Sequence, residues 1–445
     1  MKSELALRYS APVPRYTSYP TAPHFSAAVG AADVERWLQS LSAGSELSLY
    51  VHIPFCAQLC WYCGCSTKVV NRYEPIAHYL TALEREIAKV ASLVPKQHTV
   101  RHIHWGGGSP NVLSPDDIRG LAGLIRKRFS IAEAAEFAVE IDPRGLDAGR
   151  VDAFRDTGVD RISIGVQDFD PEVQKAINRV QSLEMTRDAV AMFRSAGIGS
   201  INIDLVYGLP HQSRVSVQNT IEDVLSLAPD RIAIFGYAHL PERIKHQRLI
   251  DDAALPGATE RLGQANRVAR ILASHDYVRV GLDHFARTHD PLAQGNVKRN
   301  FQGYTTDRAQ TLIGLGATAI GRFRQGYAQN AANVQDYVAR VESCGLATAR
   351  GLVLSKDDEI RAFVIEKLMC DLTFSSDELR EQFGDLAQPV IAVAADVLDA
   401  DQDGLVERTP DGFRLTDVGR PFVRSVCACF DAYLGQTPAR HSAGV

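Results

Sequence analysis

Four of the eight cysteines in the chain lie within ten residues, in the order Cys56, Cys60, Cys63 and Cys65. They follow an apolar run, residues 47–53, that predicts a buried strand. A loop at the end of a parallel strand is where α/β folds usually carry their active sites. Because cysteine thiolates bind iron–sulfur clusters, zinc or copper(I), this loop is a candidate metal site.

The C-x3-C-x2-C-x-C spacing helps to separate these possibilities. A structural zinc site usually takes two well-separated pairs of ligands, and the sequence has no second pair at the expected distance. Three cysteines on one short loop favour the corner of a four-iron cluster, with one iron left for a group that is not protein. A zinc loop or a group of disulfides is the alternative.

The composition is that of a globular protein with no general affinity for nucleic acid. Of the 445 residues, 45% are hydrophobic and 23% are charged, and the net charge is −5. No apolar stretch of about 18 residues predicts a membrane span, and residues 1–10 contain no signal-peptide core. Clustered cysteines without a signal peptide predict a metal site in a reducing cytoplasm.

Strands and helices alternate between residues 47 and 235, which predicts an α/β fold with a parallel sheet and right-handed crossovers. Six such units predict a partial (β/α)6 barrel. The predicted strands are 47–53, 101–105, 136–141, 161–164, 200–205 and 231–235, with a further edge strand at 277–281. The predicted helices are 31–42, 73–94, 115–129, 149–157, 183–195 and 213–227.

Glycine and polar residues follow the predicted strands. The second strand leads into Gly106, Gly107 and Gly108, whose backbone N–H groups can approach a ligand closely. The later strands lead into further polar residues, namely Glu140, Asp142, Gln167, Asp204 and His239. A single residue of this kind is often a structural cap, but polar residues in successive loops predict one binding site.

The cysteine loop resembles that of the radical S-adenosylmethionine (SAM) superfamily. The resemblance implies a [4Fe–4S] cluster on Cys56, Cys60 and Cys63, with SAM at the open iron. It implies that Tyr62 is the aromatic residue usual before the third cysteine, and that the glycine run meets the amino group of SAM. In this superfamily the barrel has six strands, in agreement with the strand pattern.

A longer series of motifs resembles the family of oxygen-independent coproporphyrinogen III oxidases, in order from Pro12 to Leu372. The motifs are PRYTSYPT (14–21), YVHIPFC with CGC (50–65), HWGGGSP (104–110), EIDPR (140–144), GVQDF (165–169), IDLVYGLP (203–210), YAHLP (237–241), GLDHFAR (281–287), RNFQGYTT (299–306) and GLGATAI (314–320). The resemblance implies anaerobic oxidative decarboxylation of two propionates of coproporphyrinogen III to vinyl groups, through a 5′-deoxyadenosyl radical. The product would be protoporphyrinogen IX, in haem biosynthesis.

The same resemblance implies roles for individual residues. The SAM contacts, shared between two SAM molecules, would be Tyr50, Tyr62, Gly107, Gly108, Ser109, Glu140, Gln167, Arg179, Asp204, Ala238 and Ile320. The predicted catalytic positions are Tyr50, Glu140, Phe301, Gln302 and Ile320, of which Phe301 and Gln302 resemble residues near the substrate. Arg15, Arg287 and Arg299 are candidates for pairing with propionates. Cys65 is a feature of the family but not a cluster ligand there.

The sequence divides into four predicted segments. Residues 1–46 form a proline- and tyrosine-rich arm and a helix, 47–350 the barrel with its extension, 351–435 a C-terminal domain, and 436–445 a tail. Helices at 356–372, 375–383, 389–400 and 417–434 and a hairpin at 405–415 predict a winged-helix-like C-terminal domain. From residue 351 onward, nine Lys and Arg against seventeen Asp and Glu argue against DNA binding, so this domain is expected to cover the barrel mouth.

Two other functions are alternatives: a haem-binding chaperone of the same superfamily, and a radical SAM enzyme that acts on another tetrapyrrole. Such chaperones usually lack the arm and have an aromatic residue at the position of Cys65, so both features favour the oxidase. The predicted partners are coproporphyrinogen III and an electron donor such as flavodoxin or ferredoxin. No nucleic acid or membrane is expected, and the predicted state is a monomer.

Overall fold

The computed structural model describes residues 2–435, so the predicted tail at 436–445 lies outside the described residues. The strands are β1 (Glu46–Ile53), β2 (Phe55–Cys56), β3 (Lys68–Val69), β4 (Thr99–Gly107), β5 (Ile131–Ile141), β6 (Arg161–Gln167), β7 (Ser200–Tyr207), β8 (Arg231–Gly236), β9 (Tyr277–Val280), β10 (His284–Arg287), β11 (Lys298–Asn300), β12 (Gly303–Thr305), β13 (Thr311–Leu315), β14 (Ile320–Phe323), β15 (Gly326–Asn330), β16 (Thr348–Val353), β17 (Thr373–Ser375), β18 (Val406–Thr409) and β19 (Gly412–Leu415). The helices are α1 (Lys2–Arg8), α2 (Ala31–Gln39), α3 (Glu74–Leu93), α4 (Pro115–Arg128), α5 (Ala148–Asp156), α6 (Pro171–Ala176), α7 (Leu183–Ser195), α8 (Arg214–Ser226), α9 (Ala258–Ala273), α10 (Val334–Cys344), α11 (Lys356–Asp371), α12 (Ser376–Phe383), α13 (Gln388–Ala400) and α14 (Val423–Cys429). None of these helices is long and apolar enough to cross a membrane.

Twelve strands form one open sheet in the order β16-β15-β14-β13-β1-β4-β5-β6-β7-β8-β10-β9. The six strands from β1 to β8 in this order pair in parallel, and β13 adds a parallel partner on the other side of β1. Helices lie between the parallel strands along the chain, as parallel pairing requires. The predicted partial (β/α)6 barrel is confirmed, and the predicted edge strand is β9.

The parallel strands separate apolar from polar side chains. In β1, Leu47, Leu49 and Val51 are buried in the main core, whereas Ser48 lines a cavity inside the barrel. Successive residues of a strand point to opposite faces, so each strand contributes to both environments. The polar residues that line this cavity from the neighbouring strands are His102, His104, Glu136, Glu140, Arg161, Ser163, Asn202, Asp204 and Arg231.

Serine caps fix the starts of several barrel helices. The hydroxyls of Ser114, Ser182 and Ser213 accept the backbone N–H three residues later, at the starts of α4, α7 and α8. Such caps satisfy N–H groups that have no partner within the helix. These helices therefore begin within one residue of the positions that the sequence predicts.

The C-terminal domain combines helices α11–α13 with a small antiparallel sheet in the order β17-β19-β18. The predicted helix 417–434 is shorter than expected, because α14 spans only Val423–Cys429 and residues 420–422 form a separate turn. Pro421 lies in that turn, and it lacks the N–H that a continuous helix needs. The strands β14–β16 and the helices α9 and α10 were not predicted.

The N-terminal arm packs with the C-terminal domain. Leu5, Ala6, Tyr16 and Tyr19 are buried in the same apolar cluster as residues of α11–α14. Tyr9 contacts Phe422, with 5.1 Å between the ring centroids. The two ends of the chain therefore form one core beside the barrel.

A buried carboxyl group supports the turn between β13 and β14. Glu86 of α3 accepts hydrogen bonds from the backbone N–H of Gly316 at 2.7 Å, from Tyr337 at 2.8 Å and from Asn330 at 2.7 Å. Tyr79 lies on the same helix, seven residues before Glu86, and its hydroxyl donates to the carbonyl of His52 at 2.7 Å. These contacts tie the end of β1 to the turn that leads into β14.

We expect Glu86→Gln to change how stability depends on pH. Burial raises the pKa of Glu86 from 4.5 to about 7. When folding raises the pKa of a carboxyl group, the free energy of unfolding falls as the pH rises from the unfolded value to the folded value. For a rise from 4.5 to about 7, the loss is on the order of 3 kcal/mol. The wild type should therefore lose more thermal stability than Glu86→Gln between pH 4.5 and 7.5.

The measurement is the unfolding temperature under anaerobic conditions across this pH range. Glu84→Gln is the matched control, since Glu84 lies on the same helix but is exposed. An equal pH dependence in the wild type and in Glu86→Gln would contradict the assignment.

Candidate cofactor site

The cysteine loop connects β1 to α3 and is held at several points. Cys56 lies on β2, which pairs in parallel with β3. The backbone N–H of Trp61 donates to the carbonyl of Ile177 at 2.9 Å, and that of Cys63 donates to the carbonyl of Cys60 at 3.2 Å. The loop is therefore anchored at its start, in its middle and against the segment after α6.

Two arginines approach the sulfur of Cys60. Arg144 Nη2 lies 3.3 Å and Arg179 Nη1 lies 3.5 Å from the Cys60 Sγ, and both donate a hydrogen bond to it. Asp142 holds both guanidinium groups, at 2.6 Å from Arg144 Nη2 and 3.2 Å from Arg179 Nη1. Two positively charged donors therefore meet at the sulfur of Cys60, one of the three predicted cluster ligands.

Cys63 and Cys65 form a close pair on the same loop. The backbone N–H of Cys65 donates to the Cys63 Sγ at 3.4 Å. A hydrogen bond from the Cys65 thiol lowers the pKa of the Cys63 thiol to about 7, although burial acts to raise it. Burial raises the pKa of the Cys56 thiol to about 12, although a bound metal ion would deprotonate it.

A cavity of about 660 Å³ opens above the cysteine loop, inside the barrel. It brings together most of the residues that the sequence predicted for the site. The predicted residues that line it are Cys56, Cys60, Cys63, Tyr62, Gly107, Gly108, Glu140, Gln167, Arg179, Asp204, Ala238 and Gln302, together with Arg15 and Cys65. Residues from all six parallel strands, or from the loops after them, meet in this cavity.

The glycine run at the end of β4 packs tightly against its neighbours. A Cβ atom at Gly107 would lie 2.6 Å from the ring of His52, and one at Gly108 would lie 2.3 Å from the carbonyl oxygen of Phe55. Gly107 also has φ +111°, which disfavours other residues. Glycine is therefore required here by the protein itself, and both glycines line the cavity.

Glu140 links this glycine run to the cavity. Its carboxylate accepts hydrogen bonds from His104 Nε2 and from the backbone N–H of Gly107, each at 3.2 Å. Burial alone would raise the pKa of Glu140, but the hydrogen bond and charge of His104 outweigh it and hold the pKa below the ordinary value. Glu140 is therefore an anion that faces the cavity.

Asp204 and Arg179 line the same cavity. Asp204 accepts hydrogen bonds from Ser163 at 2.6 Å and from Asn202 at 2.8 Å, and burial raises its pKa. The Nε of Arg179 is buried and has no hydrogen-bond partner among residues 2–435. Gln167, with φ 72°, lies at the end of β6, before both residues in the chain. These residues offer both donors and acceptors to a polar ligand.

Of the arginine candidates, Arg287 and Arg299 do not line the cavity, and of the predicted SAM-contacting and catalytic positions, four do not. Tyr50 accepts or donates a hydrogen bond with His52 at 3.0 Å and stacks on His104. Ser109 is buried and donates to Asn111 at 2.6 Å. Phe301 lies against Tyr327, edge to face, and Ile320 begins β14. The roles of these four residues remain predictions.

Sequence reasoning missed several residues of the site. Gln247, which is buried, donates to the carbonyls of Tyr62 at 2.9 Å and of Ala238 at 3.0 Å, and so joins the cysteine loop to the end of β8. His246 Nε2 lies 2.7 Å from the carbonyl oxygen of Cys63. Neither residue belongs to a motif quoted from the sequence, so only the fold reveals them. Arg144 lies in the EIDPR motif, and that motif was the available signal for it.

The fold and the cysteine loop together define a radical SAM protein. The model of the Radical SAM superfamily matches residues 50–224, and that of the HemN C-terminal domain matches residues 354–422. Superfamily membership implies a [4Fe–4S] cluster and SAM.

Relatives over the whole length specify the family. The chain is 45% identical to an oxygen-independent coproporphyrinogen III oxidase from Bradyrhizobium diazoefficiens, over 100% of both chains, and 40% identical to one from Pseudomonas aeruginosa, over 97% of this chain and 96% of that one. The solved structure of coproporphyrinogen III oxidase from Escherichia coli, described as a radical SAM enzyme, has a TM-score of 0.90 and 39% identity and covers 94% of this chain and 98% of that chain. The chain belongs to the family of oxygen-independent coproporphyrinogen III oxidases.

The residues present fit both groups. Three thiols on one loop, one of them beside two arginines, suit a cluster in which each cysteine binds a different iron. Among residues 2–435 no three ligating side chains converge as a single metal ion would require. The ionised carboxylate of Glu140, which faces the cavity, and the unpartnered Nε of Arg179 suit the polar groups of SAM.

We expect Cys60→Ser to lose the cluster and Cys65→Ser to keep it. Cys60 is one of the three proposed ligands, whereas Cys65 interacts with the protein through Cys63. Anaerobically reconstituted Cys65→Ser should hold about four irons per chain, as the wild type should. The measurement is iron and sulfide content with the absorption spectrum, and a loss of all iron in Cys65→Ser would refute the ligand set.

We also expect Arg144→Gln to shift the midpoint potential of the cluster to a more negative value. Removing a cation that donates to the Cys60 sulfur makes reduction of the cluster less favourable. The measurement is a redox titration followed by electron paramagnetic resonance. Arg150→Gln is the control, since Arg150 donates to the carbonyl of Leu113 instead. An unchanged potential would show that the sulfur contact does not persist with iron bound.

Proposed function

We propose that this chain catalyses the anaerobic oxidative decarboxylation of two propionate side chains of coproporphyrinogen III, giving protoporphyrinogen IX. Family membership over the whole chain supports the proposal. The observation that carries it is the position of Arg15. This residue of the arm lines the same cavity as the cysteines, and its Nη2 donates to the carbonyl of Gly236 at 2.6 Å. A cation therefore lies beside the site of radical chemistry, where an anionic substrate would bind.

Cys56, Cys60 and Cys63 would hold the cluster and the cavity-lining residues would hold SAM; together these two groups would supply the radical chemistry that removes a hydrogen atom from the propionate β-carbon, with release of CO2 and of one electron to give the vinyl group. A one-electron acceptor takes that electron. The residues of this chain hold the reacting groups in place and keep water and oxygen away. No side chain needs to break the C–H bond itself.

The proposal assigns the cluster to Cys56, Cys60 and Cys63. It assigns the SAM contacts to the cavity-lining positions described above and retains Tyr50, Ser109 and Ile320 as nearby residues. Binding of two SAM molecules is part of the proposal, and the extent of the cavity, from the cysteines to Gln302, supports it.

The surroundings of Arg15 favour an anion. Arg15 is an exposed residue where it lines the cavity; desolvation by its surroundings and repulsion from Arg299 and Arg261, opposed by attraction to Asp283, lower its pKa. Arg299 is itself buried, and its Nη1 lies 3.6 Å from Asp283. Coproporphyrinogen III carries four propionates, and an arginine binds a carboxylate through two parallel hydrogen bonds. We propose that one propionate pairs with Arg15.

Three further features belong to the proposal. A one-electron donor such as flavodoxin or ferredoxin reduces the cluster, because the reaction needs an electron that no side chain supplies. All eight cysteines are free thiols, which supports a reducing cytoplasm as the place of action. A monomeric state is also part of the proposal.

The test is an anaerobic assay of reconstituted protein with coproporphyrinogen III, SAM and a reductant. We expect loss of two CO2 per substrate, measured by the mass of the product. Binding of haem without any turnover would instead favour a chaperone. Turnover of a different tetrapyrrole only would place the chain among other radical SAM enzymes.

Arg15→Gln should weaken substrate binding while leaving the cluster in place. A hydrogen bond to a charged group contributes roughly 1.5–3 kcal/mol, so KM should rise about 10- to 100-fold. The released CO2 should fall relative to 5′-deoxyadenosine, since the substrate would be held less firmly. Deleting the arm is a poorer test, because Tyr16 and Tyr19 are part of the C-terminal core.

Arg8→Gln is the matched control. Arg8 belongs to the same N-terminal segment but pairs with Asp403, outside the cavity. A normal KM and a normal ratio of CO2 to 5′-deoxyadenosine in Arg15→Gln would remove Arg15 from the substrate site.

A further inference from the structure

A buried arginine of the C-terminal domain grips the N-terminal arm. Arg424, on α14, donates from Nε to the carbonyl of Pro14 at 2.9 Å and from Nη2 to the carbonyl of Val13. Arg424 is only 8% exposed. A planar guanidinium is well suited to two carbonyls in a row, because its donors have a fixed geometry.

Other contacts hold the arm just after this point. The hydroxyl of Tyr16 donates to Asp431 at 3.1 Å, and the hydroxyl of Tyr19 accepts the backbone N–H of Ala432 at 2.9 Å. Both tyrosines are buried. Residues 13–19 are therefore fixed against α14 and the turn that follows it.

Arg15 lies between these anchors and points the other way. The residues on each side of it are held by the C-terminal domain, while its own guanidinium reaches the carbonyl of Gly236 at the end of β8. A shift of the Val13 and Pro14 carbonyls would move the backbone of Arg15 directly. The position of this cation in the cavity thus depends on a contact made outside the cavity.

Arg15 and Arg424 also interact electrostatically. Burial and then repulsion from Arg15 lower the pKa of Arg424 to about 10, so Arg424 remains protonated at neutral pH. A second cation next to Arg15 makes the region more attractive to an anion.

We infer that Arg424 is a positioning residue for the substrate: it holds the arm so that Arg15 faces the cavity, and through it the C-terminal domain acts on substrate binding. The substrate part of this inference rests on the proposed function. The other part, that Arg424 holds the arm in place through its hydrogen bonds to Val13 and Pro14 (the grip), does not depend on the proposed function.

The first experiment tests the grip without substrate, cluster or SAM turnover. Trypsin cuts after arginine, and cleavage between Arg15 and Tyr16 requires the arm to leave α14. In Arg424→Ala this cleavage should be about tenfold faster than in the wild type, because two hydrogen bonds from a charged group are lost. Arg424→Lys should restore part of the protection, since an ammonium group can still reach one carbonyl.

Arg420→Ala is the matched control for the first experiment. Arg420 lies four residues earlier and donates to the carbonyls of Gly281 and Arg279, at distances of 2.7–2.9 Å, rather than to the arm. It should destabilise the domain to a similar degree without speeding cleavage after Arg15. Equal cleavage rates in Arg424→Ala and in the wild type would overturn the inference, as would equally fast cleavage in Arg420→Ala.

The second experiment tests whether Arg424 acts through Arg15. The probe is coproporphyrin III, the oxidised and fluorescent tetracarboxylate, titrated into the full chain. Arg424→Ala alone should weaken binding about tenfold, and Arg15→Gln alone by at least as much. In the Arg15→Gln background, Arg424→Ala should have no further effect, because the residue it positions has gone.

The outcomes separate the two proposals. Additive losses in the double variant would show that Arg424 does not work through Arg15 and would overturn the positioning role. If the wild type does not bind coproporphyrin III at all, the proposed function fails, and the trypsin result still decides the grip. Should Arg424→Ala fail to fold, Arg424→Lys carries both measurements, with smaller changes in the same direction.

Discussion

The carboxylate of Asp142 holds two guanidinium groups beside the sulfur of Cys60, and much of the site is arranged around this contact. Arg144 comes from the loop after β5 and Arg179 from the loop after α6, so two separate segments meet at one ligand. Without the carboxylate, the buried Arg179 and the half-buried Arg144 would repel each other across a few ångströms. With it, they place positive charge where a thiolate and an iron–sulfur cluster need it.

The barrel provides a polar interior surrounded by an apolar layer. Each parallel strand turns one face to the helices and the other to the cavity, so burying the apolar face automatically directs polar residues inward. The glycine run at the end of β4 then lets backbone, rather than side chain, form part of the wall. An open sheet leaves room for a large substrate that a closed, filled barrel would exclude.

The two ends of the chain form one core beside the barrel. The arm supplies a cation to the cavity, and the C-terminal domain holds the arm through Arg424 and Asp431. This division explains why an acidic C-terminal domain can serve an anionic substrate: the domain contacts the arm, and the arm contacts the cavity. It also means that neither end can be removed without exposing the apolar cluster they share.

The sequence by itself determined the cysteine loop, the order of the parallel strands and most helix starts, because these depend on local spacing, on alternation and on serine caps. Most of the site residues that it predicted do line the cavity, since loops after parallel strands necessarily meet at one edge of a sheet. Only the tertiary structure decided that Gln247 joins the cysteine loop to β8, that Ser109 turns away from the cavity, and that Arg424 grips the arm. These contacts join residues far apart in the chain, and no local pattern records which distant carbonyl or carboxylate a buried polar group will meet.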